Sequence, residues 1–305
     1  MKNIYTLAPI CLFVYCRLKE TIQTVETLKL NCLSTESELF IFSEGAKNEA
    51  DRDKVNAVRE YIHTINGFEN VTIYESDVNK GLANSIILGV TQIVNKYNKV
   101  IVLEDDLLLS TNFLSFMNQA LNFYEEKKNI FSISGYSFDL KYPENYKYDV
   151  AFSIRASSWG WAIWKDRWVE IDWKLKNYSS FRWNILDKFF FNSGGSDLTH
   201  MLHRQMKGKI DSWAIRFTYH QYKHNYLDVF PTKSKVLNNG FNLESTHTKF
   251  KSHRFDTHLD FSEQCTFYFL ENISIDKSIQ KQFYKHYSYT GRLKDKLTKL
   301  LWKTK

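Results

Sequence analysis

Residues 98–112 read NKVIVLEDDLLLSTN, and this stretch decides the fold. Val100, Ile101, Val102 and Leu103 make a short unbroken apolar run, the mark of a strand covered on both faces. Three carboxylates follow at once, Glu104, Asp105 and Asp106, and a second apolar run comes directly after them. Like charges held between apolar segments repel one another, so a strand that ends in three acids calls for a cation at its tip. If the strand continues briefly, Glu104 and Asp106 share a face and Asp105 points the other way. Capping of the next helix is the competing explanation, but Ser110, Thr111 and Asn112 are better placed for it. Hard carboxylate oxygens suit Mg²⁺ or Mn²⁺, which also bind phosphate oxygens.

Working outward, strands and helices alternate. ICLFVY (10–15) is strand-like, and residues 20–30 follow a helical pattern with Ile22, Val25 and Leu28 on one side. LFIFS (39–43) is a second strand, closed by the turn Ser43-Glu44-Gly45. A helix through Val55, Val58, Tyr61 and Ile62 leads to the strand VTIYES (71–76). Helices are expected over 82–94 and 113–124. Short apolar strands separated by helices of this length predict an α/β fold with a mostly parallel, doubly wound central sheet. The acids then lie beyond the carboxyl end of a central strand, where such sheets bind ligands.

The chain has 305 residues, 43% of them hydrophobic, enough for a large single domain. Of its net charge of +7, +5 belongs to 291–305, GRLKDKLTKLLWKTK, which leaves +2 on the body and argues against a nucleic-acid binder. Cys11, Cys16, Cys32 and Cys265 form no C-x-x-C pair, which fits a reducing, cytoplasmic setting. The segment TLAPICLFVYC is read as a buried first strand rather than a signal peptide, because no small-x-small site follows. On that reading the sequons at Asn70, Asn177 and Asn272 carry no glycan. From about residue 150 the chain becomes rich in aromatics, as in RASSWGWAIWKDRWVEIDW. No linker marks a boundary, so this is read as the acceptor half of one domain.

Seven segments in order carry a resemblance: PICLFVYCRLKET, IFSEG, NKGLANSIILGV, VIVLEDDLLLSTNFL, SSWGWAIWKDRW, GGSDLTHML and KVLNNGFNLESTHT. Across residues 8 to about 250 the chain resembles GT-A-type nucleotide-sugar glycosyltransferases, particularly inverting, family-2-like bacterial sugar transferases. The resemblance implies a Rossmann-like GT-A domain over 1–250, with a donor half (1–130) and an acceptor half (131–250). Residues 251–305 would be a mostly helical C-terminal extension. It also implies a hexosyl or N-acetylhexosaminyl transfer from a nucleotide-sugar, UDP-linked by preference, to a glycan or lipid-linked glycan hydroxyl.

Residue by residue, the resemblance gives Glu104 and Asp105 to the donor ribose and sugar and Asp106 to a Mn²⁺ or Mg²⁺ ion. Tyr15, Arg17 and Glu44 would border the nucleotide, although this family often has Asp where Glu44 stands. Lys80, in Asn79-Lys80-Gly81-Leu82, would bring a cation and a helix N-terminus to the diphosphate. Trp159, Gly160 and Trp161 would line the sugar or acceptor. Trp161, Trp164 and Trp168 have helical spacing, and the last two read as core. Asp197, in Gly194-Gly195-Ser196-Asp197-Leu198, matches the catalytic base, with Asp211 as the alternative and helix capping as the plain reading of both. His247 matches a late histidine that supports metal or diphosphate. His200, His203, His220 and His224 are read as packing or surface residues.

Sugar-nucleotide nucleotidyltransferases use a similar sheet but need a glycine-rich phosphate loop after the first strand, and YCRLKET has none. A non-catalytic nucleotide or glycan binder stays open at this stage. In the tail, Leu293, Leu297, Leu300 and Leu301 share one helix face among Arg292, Lys294, Lys296, Lys299 and Lys303. That pattern suits an anionic membrane surface, with a solvated terminus or a helix packed on the body as the plain readings; the resemblance, whose acceptors are often lipid-linked, tips the expectation to the inner face of the membrane.

Overall fold

The computed structural model describes residues 6–240 and 253–303. The first half runs β1 (Ile10–Val14), α1 (Leu18–Lys29), β2 (Glu38–Ser43), α2 (Glu49–Ile62), β3 (Asn70–Glu75), α3 (Leu82–Tyr97) and β4 (Lys99–Glu104). The second continues with β5 (Leu107–Leu109), α4 (Phe113–Tyr124), β6 (Ile130–Ser134), β7 (Val150–Ser153), β8 (Trp161–Trp164) and α5 (Lys165–Trp168). Then come α6 (Tyr178–Trp183), α7 (Ile185–Phe191), α8 (Leu198–Met206), α9 (Trp213–Lys223), β9 (Leu227–Pro231) and β10 (Val236–Asn238). Two helices end the chain, α10 (Lys277–Tyr287) and α11 (Tyr289–Lys303).

Eight strands form one sheet in the order β3-β2-β1-β4-β8-β6-β9-β7. β1 to β4 are mutually parallel, β6 and β9 keep that direction, and β8 and β7 run against it. The expected mostly parallel α/β sheet flanked by helices is therefore the architecture of this chain. Strand alternation divides its core between two faces. Ile10, Leu12, Val14, Ile101 and Leu103 pack under α1, α2, α4 and α10. Cys11, Phe13, Val100 and Val102 pack under α3 and α9. Each such side chain, fully withdrawn from water, contributes about 1.5–3 kcal/mol.

The same alternation corrects the tryptophan reading. Residues 161–164 are a strand, so Trp161 and Trp164 fall on opposite faces and in different cores. Trp161 is 1% exposed and stacks on Trp168 and Trp213 at 5.8 and 4.8 Å, so it offers no ring to a sugar. The second apolar run after the acids is also a strand. β5 pairs antiparallel with β10 in a small two-stranded sheet.

Residues from the C-terminal stretch complete the main core: Phe267, Ile279, Phe283 and Tyr287 join the cluster built on β1 and β4. A smaller third cluster, from Leu175 and from Phe181, Phe191, Leu198 and Tyr219 of α6 to α9, anchors the helical segment beside the sheet. Among the described residues no helix is long and apolar enough to cross a membrane.

Candidate active site

The strand order reverses between β1 and β4: β2 and β3 lie to one side, and later strands to the other. Phe13 is in register with Glu104, so the turn after β1 and the acidic triplet emerge side by side at the carboxyl edge. Here the sequence's demand for a cation is met in part from within the chain. Arg17, just past β1, places its guanidinium between Asp105 and Asp106, at 2.9 Å from Asp106 Oδ2 and hydrogen bonded to Asp105 Oδ1. The backbone N–H of Tyr15 donates to the other Asp105 oxygen at 3.3 Å. The Tyr15 hydroxyl is itself held, donating to Asp51 and accepting from the Lys47 N–H.

One guanidinium does not balance three carboxylates. Burial, then Asp106 and Asp105, push the Glu104 carboxyl up to about 8, with Arg17 opposing. Burial likewise raises Asp105 against the pull of Arg17. Three carboxylates thus compete for one guanidinium, and Glu104 keeps its proton at neutral pH unless a further cation displaces it. The donor set, hard carboxylate oxygens that one guanidinium serves in part, fits Mg²⁺ or Mn²⁺. Asp106 and Glu104 are the side chains that would hold it. Among the described residues no three potential ligands already converge as a preformed cage. His247 lies outside the described residues.

Gly240 closes one side of the site. A Cβ there would collide with Asp106 Oδ2, and the Asn239 N–H donates to the Asp106 carbonyl at 2.7 Å. The third wall comes from β2 and α3. Glu44 accepts the Lys80 N–H at 2.6 Å and so ties the turn after β2 to the start of α3. Gly81, with φ of 80°, turns the chain into that helix. The Lys80 side chain is exposed, and its ammonium makes no hydrogen bond or ion pair among the described residues.

The residues expected on the acceptor side separate. Trp159 is half-buried, edge-on to Tyr136 and Phe255, and lines a cavity of about 170 Å³ with Arg155, Ser157, Ser158 and Tyr287. Gly160 does not serve a sugar. It adopts φ of 57°, and a Cβ would lie 2.7 Å from Val236, so protein fills the room that glycine leaves. Asp197 does not cap α8. Asn192 does, by accepting from the Thr199 N–H at 3.0 Å.

Asp197 instead forms a two-point pair with Arg155, at 2.8 and 3.1 Å, while the Tyr287 ring covers the guanidinium at 3.6 Å. Burial opposes ionisation of Asp197, but Arg155 outweighs it and holds the carboxyl below its ordinary range. Asp211 is more open, pairs with Arg216 at 3.0 Å and sits near Gly81, while Ser212 caps α9. Of the other histidines, His220 is buried against Phe131, and His203 bonds Tyr178.

Sequence reasoning named Arg17 and Asp106 but missed their pairing, and it missed Arg155 and Tyr287 altogether. Arg155 directly precedes the Ala156-Ser157-Ser158-Trp159 turn, which was the available signal.

No family profile and no curated protein matches this sequence. Solved structures with some likeness include the S. aureus TarS 1–349 fragment, at 11% identity and TM-score 0.42 over 76% of this chain and 60% of that one. The mannosyltransferase PcManGT of Pyrobaculum calidifontis, in complex with GDP-Man and Mn²⁺, aligns at 11% identity and TM-score 0.35, over 54% and 49%. The galactosyltransferase LgtC, with donor and acceptor sugar analogues, aligns at 12% and 0.36, over 70% of each chain. This chain spans about half to three-fifths of the length of the first two. Likeness at this level decides neither activity nor site.

Proposed function

We propose that this chain is a GT-A-type glycosyltransferase that moves a sugar from a nucleoside-diphosphate donor to a hydroxyl acceptor with inversion, assisted by a divalent metal. The carrying observation is the under-neutralised triplet Glu104-Asp105-Asp106 at the strand-order reversal of a mostly parallel sheet, the position where open α/β sheets take ligands. A bound Mn²⁺ or Mg²⁺ would supply charge neutralisation at the diphosphate.

The chain's own residues do the rest. Tyr15 and Glu44, at the ends of β1 and β2, border the nucleotide. Asp105, fixed by Arg17 and the Tyr15 N–H, is assigned to a donor hydroxyl. Lys80, whose ammonium is without a partner among the described residues, supports the departing diphosphate as its charge grows. An alcohol is a weak nucleophile at neutral pH, so a fixed carboxylate must take its proton during attack. Asp197 is given that role. Arg155 keeps it ionised and oriented, with Trp159 in the adjoining cavity wall facing the acceptor.

Thermal melting with UDP, GDP, CMP and their sugars, each with and without Mn²⁺, tests this reading. Ligands that bind the native state raise its melting temperature by mass action. A metal-dependent rise with one nucleoside diphosphate, together with metal-dependent release of that nucleotide from its sugar, is expected. No stabilisation by any donor overturns it, and stabilisation without nucleotide release makes the protein a binder.

A further inference from the structure

Helices α6 and α7 form a short hairpin with two unlike sides. Phe181 and Phe191 point inward, each 1% exposed, and meet Tyr219 in the small third core. The outer side is apolar and open: Trp183 is 76% exposed, Ile185 79%, Leu186 68%, Phe189 71% and Phe190 56%. Ile185, Leu186, Phe189 and Phe190 stand at i, i+1, i+4 and i+5, one stripe along α7. A contiguous stripe of this kind is uncommon on a monomeric surface and marks a docking site.

Basic groups gather at the Trp183 end of the hairpin. Arg182 stacks on Trp183 at 4.9 Å, and Lys188 lies on the same hairpin. Lys207, Arg182, His200 and Lys188 all act on His203, whose pKa is lowered first by burial and then by these neighbours. Asp187, the hairpin's acid, is engaged by Lys223 and Tyr222. The start of α11 adjoins the hairpin. Tyr289 shares a cleft of about 440 Å³ with Trp183, Arg182, Lys188 and His200, and Arg292 bonds Ser196 at 3.2 Å. Beyond that anchor, Leu293 and Leu297 are 58% and 51% exposed one turn apart, beside exposed Lys296.

We propose that the outer stripe of α6–α7 and the basic, leucine-bearing face of α11 together form a membrane-docking surface for anionic lipid. Aromatic and aliphatic side chains would enter the interfacial region while the surrounding cations meet headgroup phosphates. A protein partner would also value the apolar stripe, but the basic groups beside it and on α11 match the opposed charge of an anionic leaflet and favour lipid. The docking surface does not depend on the proposed transfer reaction.

Co-sedimentation of the full chain with phosphatidylglycerol-containing and pure phosphatidylcholine vesicles tests the surface. The chain is expected to pellet with the anionic vesicles and to be released by salt. Leu186→Ser/Phe189→Ser/Phe190→Ser removes only exposed side chains, so its melting temperature should stay within a few degrees. Its vesicle partition should fall by about tenfold or more per side chain removed. Deletion of 291–305 should weaken binding independently. Absence of binding to either vesicle, or undiminished binding by the triple variant, overturns the proposal. So does a wild-type dimer in light scattering that the triple variant converts to monomer, which would assign the stripe to protein contact. Donor turnover on a soluble acceptor, measured alongside, should be unchanged in the triple variant. Failure to bind vesicles with turnover intact would therefore refute the docking surface and leave the transfer reaction standing.

Discussion

Replacing Lys235 with methionine should invert the pH dependence of stability at one buried site. The Lys235 ammonium donates to Asp260 Oδ2, and both side chains are almost fully withdrawn from water. Asn112 and the Ser262 N–H also donate to this carboxylate, at 3.2 and 3.0 Å. The rings of Phe267 and Phe116 cover the ammonium at 4.7 and 5.6 Å. Burial alone would raise the Asp260 pKa, but the Lys235 hydrogen bond and charge, with Ser262, bring it down to about 2. A carboxyl depressed on folding contributes stability above its unfolded value and loses it as the pH falls, here between about 4 and 2.

In Lys235→Met the burial remains and its main opponent is gone. Asp260 should then hold its proton more tightly folded than unfolded, and stability should fall as the pH rises above about 4. Breaking one side of a buried pair costs about 3–5 kcal/mol, a melting shift of roughly 6–15 °C for a chain of this size. Adding Asp260→Asn should restore most of it, because no buried charge is left unpaired. Calorimetric melting of the three proteins from pH 3.5 to 7.5 measures both sign and size. A single variant within about 1 kcal/mol of wild type, or one whose stability still rises with pH, refutes the argument. Donor affinity should drop too, since β10 runs from this pair to Asn239 and Gly240 against Asp106.

Four further outcomes are expected at the site. Asp106→Ala should fold but lose metal-dependent donor binding and turnover; full wild-type activity in excess chelator would contradict this. Asp197→Asn should lose about 10²–10⁴-fold in kcat with donor affinity nearly unchanged. Arg155→Met should move the acid limb of kcat/KM to higher pH, because the charge that holds the Asp197 pKa down is removed. If Asp211→Asn shows the rate loss and Asp197→Asn does not, the base is Asp211. Gly240→Ala should push Asp106 out of place and weaken donor binding roughly tenfold, as overpacking by one methyl costs about 1–3 kcal/mol. An unchanged donor Kd in titration calorimetry would count against the wall that Gly240 forms.

The first four strands were legible because each is a short apolar run and each connecting segment has a helical period. Both signals are local. The reversed strand β8 was not, because three tryptophans spaced 161, 164 and 168 satisfy a helix period while the chain is extended over the first two. The acidic triplet could be placed at a strand tip from sequence, and so could its need for a cation. That Arg17 answers it could not, since the pair joins positions nearly ninety residues apart. Asp197 was picked out by its motif, but a glycine-serine-aspartate turn looks like a cap, and only the fold brings Arg155 and Tyr287 onto it.

The strands β6 and β8 leave and return at the same edge, and the Gly135 N–H donates to the Gly160 carbonyl across the gap. Residues 136–159 are therefore a detour with a pinched neck. Everything that sets the register of β1, β4, β6 and β8 lies outside that neck, whereas Tyr136, Arg155, Ser157, Ser158 and Trp159 lie inside it. The cavity wall could thus vary with little effect on the register of the acidic strand, provided that Phe138, Val150, Ala151 and Phe152 of the same detour, which are part of the main core, are kept apolar. One strand limits that variation: β7 covers the outer side of β9, and a replacement must still supply it or leave that edge of the sheet open to pairing with another chain.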